Sequence, residues 1–93
     1  MPIIKKVTYP RPNIVQIEFD FPQNQVVDVL EDLTCKEVRN FISAGTTFGK
    51  IVRLCGELTI GMAVVCGHEL SHVCKAIEVF NPKENCFYEV VRH

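Results

Sequence analysis

The chain has 93 residues, 47% of them hydrophobic and 23% charged. That is the balance of a single globular domain over residues 1–93, and it excludes a disordered chain, a collagen-like repeat and a coiled coil. Ten Lys and Arg against eleven Asp and Glu leave a formal net charge of −1. A protein that coats nucleic acid through its phosphates needs a positive surplus. Any anionic ligand is therefore expected to be small and locally held, with neither duplex DNA nor a membrane surface as partner.

Met1 to Ile4 run straight into Lys5 and Lys6, which is not the basic-then-apolar order of a secretory leader. The longest apolar stretch, residues 60–66, falls well short of the roughly 20 residues that cross a bilayer. Cys35, Cys55, Cys66, Cys74 and Cys86 are odd in number and form no CxxC pair. A cytoplasmic protein with reduced, mostly buried thiols is expected, the alternatives being a zinc site of scattered cysteines or a reactive thiol.

In chain order, residues 5–9 predict a short strand, 10–13 a turn broken by Pro10, Pro12 and Asn13, and 14–19 the second strand of a hairpin. Residues 25–42 carry apolar side chains at irregular spacing, and Thr34 is expected to cap a short helix over 35–43. A loop over 45–49 leads to a strand at 50–55. Gly56 then turns the chain into a helix capped by Thr59 and running to about residue 75. Residues 76–80 predict a strand, 81–85 a tight turn with Pro82 in its second position, and 86–91 a last strand. This ββαβαββ order implies a small single-domain α/β sheet with a right-handed crossover. A core of this size is marginal, so at least a dimer is expected.

Chemistry concentrates between Gly56 and His72. A strand, a glycine turn and a helix start present free N–H groups and a positive dipole end to an anion such as phosphate, although most such turns bind nothing. His68 and His72 lie four apart on one helix face, while Met62, Cys66, Leu70 and Val73 form the neighbouring stripe and are expected in the core. The same segment spells HExxH, two imidazoles for zinc with Glu69 as base. A zinc hydrolase would need a third ligand, and Glu84, Glu89, His93 or a cysteine stands at no distinctive spacing. Lys83 follows Asn81 and Pro82 in a turn at the carboxyl end of a strand, where α/β sheets place ligands.

The second half, about residues 51–93, resembles a known family. Leu54-Cys55-Gly56, the run Met62 to His72, then Ala76 to Lys83 and a final strand ending in His93 are similar to the small stand-alone CRISPR-associated type III ring nucleases of antiviral defence. These bind cyclic tetraadenylate and linearise it. Their order is a glycine turn, a helix ending in paired histidines, a strand, an Asp-Pro-Lys or Asp-Pro-Arg turn, and a strand with a histidine. The first half matches only in element order.

The resemblance implies a sheet related to the CRISPR-associated Rossmann-like (ferredoxin-like or CARF-like) fold. Two copies, possibly four, would share a groove for the ring or a short RNA. Gly56, Glu57 and Thr59 would bind the ligand together with Lys83 and His93. His72 and His68 would be catalytic, with Asn81 and Lys83 beside them, and His72 and His93 would hold a manganese ion. Attack by a ribose 2′-hydroxyl needs an acid and a base working near neutral pH, and imidazole, with an unperturbed pKa of about 6.5, supplies both. Lys83 and helix N–H groups would stabilise the charge that develops. The family's turn aspartate is Asn81 here, and an amide can be neither a base nor a good metal ligand. Relatives are also expected to continue past the position of His93. Both departures bear on cleavage more than on binding, so the alternative is a binder that sequesters or senses the ring. A plain interaction subunit is the remaining reading.

Overall fold

A computed structural model describes residues 4–20 and 27–92, with the side chains of the first helix from Asp32 onward. The elements are β1 (Ile4–Arg11), β2 (Ile14–Phe19), α1 (Val27–Ser43), β3 (Ile51–Gly56), α2 (Ile60–Leu70), β4 (Ala76–Asn81) and β5 (Cys86–Arg92). The expected ββαβαββ order is present, as a small α/β fold with a five-stranded mixed sheet. The strands lie in sequence order, β1-β2-β3-β4-β5. The inner pairs β2–β3 and β3–β4 are parallel, each crossed by a helix, and the outer pairs are antiparallel.

Alternation along the strands decides which side is covered. Val15, Ile17 and Phe19 of β2, with Val52 and Leu54 of β3, point to one face and are buried against Val38 of α1 and Met62, Cys66 and Leu70 of α2. Both helices therefore share that face and pack on each other. The opposite face carries Gln16, Glu18, Arg53 and Glu78. There Arg53 Nε donates to Glu78 Oε1 at 2.8 Å, and its guanidinium lies 4.7 Å from the centre of the Phe87 ring. Among the described residues no helix is long and apolar enough to cross a membrane.

Two local expectations are corrected. Thr34 does not start a helix. It is fully buried inside α1, which begins at Val27. Val38 is buried and Leu33, Phe41 and Ile42 pack against the core, so tertiary packing extends the helix past its local cap signal. Helix α2 also stops earlier than residue 75. Ser71 closes it, donating its N–H to Gly67 O. The sheet then captures the chain, because Gly49 N donates to Val73 O and Lys75 N to Lys50 O.

Candidate functional site

The carboxyl ends of β3 and β4 open onto a cavity of about 740 Å³ between α2 and β5. Gly56, Glu57, Leu58, Ile60, Val64, Phe80, Pro82 and Tyr88 are among the residues that line it. Gly56 has a φ of +92°, and a Cβ there would lie 2.3 Å from Phe19 O. Glycine is thus required by the β2–β3 ladder itself. Glu57 N continues that approach by donating to Phe19 O at 3.0 Å. Thr59 caps α2 as expected, its Oγ1 accepting from Met62 N at 3.1 Å. That leaves the first-turn N–H groups of Ile60 and Gly61 without an intrahelical acceptor.

The Asn81–Lys83 turn stands at the same edge. Asn81 Oδ1 accepts from Lys83 N at 3.0 Å, and Asn85 takes a positive φ of 52° to close the hairpin. The amide of Asn81 therefore shapes the turn, and the Lys83 side chain is exposed beyond it.

The two histidines are elsewhere. Helix α2 runs back along the sheet, so His68 and His72 lie at the amino edge of β4. They are separated from the Lys83 turn by the six residues of β4, roughly 20 Å at about 3.3 Å per residue. Both are exposed, with ring centroids 5.2 Å apart and planes at 87°. One copy therefore brings Gly56, Glu57, Thr59, Asn81 and Lys83 to one edge and the imidazole pair to the other. His93 lies outside the described residues.

Glu69, the middle residue of the HExxH string, turns toward α1. Its Oε1 accepts from Arg39 Nε at 3.1 Å and from Cys35 Sγ at 3.4 Å. The bond from Arg39 holds its carboxyl below the usual glutamate range. It ties two helices together and is engaged away from any base role. Burial pushes the Cys66 thiol up to about 12, and the Cys35 thiol is also raised, by burial first and then by its bond to Glu69. Both stay neutral and act as small apolar groups. Cys66 and Cys74 are buried, Cys35 and Cys55 half-buried and Cys86 exposed.

For a metal, the described histidines offer two imidazole donors, and Asn81 Oδ1 is engaged at the far edge. Among the described residues no three His, Cys, Asp or Glu side chains gather at metal-binding spacing. Among the described residues the donors of one copy do not make up a manganese or zinc site.

Sequence reasoning missed the Arg39–Glu69 link, whose partners are thirty residues apart with no local pattern. It also missed Phe80 and Tyr88 as cavity walls, although their strands flank the Pro82 turn. Compared with known proteins, the chain matches no family model and no curated sequence.

Proposed function

We propose that this chain binds cyclic oligoadenylate, cyclic tetraadenylate first, at the carboxyl edge of its parallel strands. In this proposal it is a relative of the CRISPR-associated ring nucleases and of their Rossmann-like, CARF-like fold. One observation carries it: a glycine turn, a helix N-terminus and the Asn81–Lys83 turn meet around a single cavity with apolar and aromatic walls. Phosphate suits the N–H groups of Ile60 and Gly61 and the ammonium of Lys83. Adenine suits the faces of Tyr88 and Phe80, since every base can stack on an aromatic ring. Glu57, a poor neighbour for phosphate, can accept from ribose hydroxyls or an adenine amino group. A cavity of about 740 Å³ is in the range of small-ligand sites, and a four-nucleotide ring would span two copies related by a two-fold axis.

Cleavage by His68 and His72 requires the amino edge of another copy to meet this carboxyl edge head to tail. One imidazole then takes the 2′-hydroxyl proton as the 2′-oxygen attacks phosphorus. The other, protonated, gives its proton to the departing 5′-oxygen, leaving a 2′,3′-cyclic phosphate. Lys83 and the α2 N–H groups stabilise the phosphorane charge. The second reading, a sequestering or sensing binder, is favoured by Asn81, whose amide oxygen is bonded to Lys83 N. Incubation with cyclic tetraadenylate, with and without manganese, followed by product separation, distinguishes them. An opened ring supports the nuclease, a tightly bound intact ring the binder, and no binding overturns both.

A further inference from the structure

Helices α1 and α2 cover one face of the sheet, and the described residues put no helix on the other. Parallel strands are usually covered on both faces, yet β2, β3 and β4 are bare on this one. Toward the carboxyl edge its character changes from charged to aromatic. Phe80 of β4 and Phe87 of β5 are direct partners across the ladder, and their rings meet edge to face with centroids 5.3 Å apart. With Gln16, Glu18, Cys55 and Gly56 they line a second recess, of about 320 Å³, on the open face. It meets the first cavity along a crest, since Cys55, Gly56 and Phe80 line both. Gly56 keeps that crest low. A Cβ there would lie 3.1 Å from Glu18 Cγ as well as striking the Phe19 backbone.

The chemistry of the recess selects its occupant. No lysine, arginine or histidine is among the residues that line it, so it is no seat for a phosphate. Its polar groups offer acceptors, the carboxylate of Glu18 and the amide oxygen of Gln16. Gln16 Nε2 is turned to Cys55 Sγ at 3.8 Å. Burial, and after it the Glu18 carboxylate, raises the Cys55 thiol, which stays neutral. Lys5 Nζ lies 3.6 Å from Glu18 Oε2, and a carboxylate with roughly four lone-pair sites keeps capacity for a further donor. Phe87 already carries the Arg53 guanidinium 4.7 Å from its ring centre, paired with Glu78. A second cation in the recess would face the first, so the aromatic pair suits a neutral planar ring instead.

We propose that this open-face recess holds one adenine of the cyclic oligoadenylate, stacked on the Phe80–Phe87 pair with its 6-amino group donating to Glu18. The inference rests on the ring-binding reading above and adds a second base position across the crest from the first cavity. A neutral planar base carrying an amino donor matches aromatic walls beside a carboxylate. Glu18 is then a specificity-determining residue. Adenine presents a donor at position 6, whereas a 6-oxo purine presents an acceptor that the carboxylate repels.

Calorimetry with cyclic tetraadenylate and with the analogue ring lacking its 6-amino groups tests the recess. The wild type should prefer the adenylate ring by roughly 10-fold or more, the worth of a hydrogen bond to a charged group. Glu18→Ala should cut that preference to within about twofold. Comparing two rings on one variant cancels the general effect of removing a negative charge beside a polyanion. Glu18 and Lys5 form a water-exposed ion pair, which contributes little to stability, so this variant keeps the fold. Phe87→Leu should weaken binding of cyclic tetraadenylate by about 5-fold or more, as loss of one base stack does. Circular dichroism checks its fold, and Glu18→Ala decides the question by itself if that variant unfolds. A wild type that binds both rings equally, a Glu18→Ala variant that keeps the full preference, or a folded Phe87→Leu variant that binds as tightly as the wild type overturns the recess and leaves ring binding in place. A wild type that binds neither ring overturns the reading beneath it, and this inference with it.

Discussion

Gly56 stands directly opposite Phe19 in the parallel β2–β3 ladder, close enough that a Cβ at residue 56 would come within 2.3 Å of the Phe19 carbonyl oxygen and 2.7 Å of its nitrogen. The sharp exit from β3 toward the candidate site rests on that approach. Gly56→Ala adds the missing carbon and also places an L side chain at a φ of +92°. Urea unfolding should show a loss of about 2 kcal/mol or more. A loss below about 0.5 kcal/mol, the range of an ordinary surface substitution, would mean that this approach is looser than described.

Acid should loosen the contact between the two helices. Glu69 is held as a carboxylate chiefly by Arg39, so its folded pKa lies below its unfolded one. Its contribution is present above the unfolded value of about 4.3 and is lost as pH falls through the lower folded value. The wild type should therefore lose more stability than Glu69→Gln on going from neutral pH into this acid range, as read by chemical denaturation at each pH. Parallel pH profiles for the two proteins would contradict the role given to this pair.

Thr47 is fully buried, and its hydroxyl has no hydrogen-bond partner among the described residues. Replacing a buried, unsatisfied hydroxyl by a methyl of similar shape removes a desolvation penalty. Thr47→Val should raise stability by roughly 1 kcal/mol, measured as a shift in the unfolding midpoint. A loss of similar size would show that a water or an undescribed group satisfies the oxygen.

The two edges of the sheet should separate genetically. Lys83→Ala should weaken binding of cyclic tetraadenylate by about 10-fold or more, as loss of a charged phosphate contact does. His68→Ala and His72→Ala should leave binding within about twofold, since proton transfer by the imidazoles acts in the transition state and not in ground-state binding, while removing any ring opening. Calorimetry and product separation read the two effects independently. Equal loss of binding in all three variants would contradict this division between binding and proton transfer.

Much of the fold was legible because its signals are local. Alternation in Ile14–Phe19 and Ile51–Gly56 marked the inner strands, Gly56 and Thr59 marked the turn and cap, and the stripe Met62, Cys66, Leu70 marked the buried side of α2. Helix α1 was misjudged because Thr34 carries a local capping preference that packing overrides. The site was half legible. Gly56 to Thr59 and Asn81 to Lys83 share one edge of the sheet, since the turns that carry them leave the carboxyl ends of neighbouring parallel strands. Within one copy His68 and His72 stand at the other edge, because element order does not show which end of the sheet a returning helix reaches; their meeting with Lys83 was expected between copies of the chain. Asn81 was read as chemistry, whereas its oxygen is engaged by Lys83 N.

The remaining substitution concerns turnover. Asp can accept from Lys83 N as Asn81 does, so Asn81→Asp should keep the turn and raise ring opening at unchanged affinity. Unaltered turnover, measured by product separation over time, would show that this amide does not limit the reaction.

Titration of the purified chain with cyclic tetraadenylate in a calorimeter is the direct measurement. Saturable binding at one ring per two chains, weakened by Lys83→Ala, is the predicted result. No heat of binding from the folded wild type would contradict the assignment of the carboxyl edge as a cyclic oligoadenylate site.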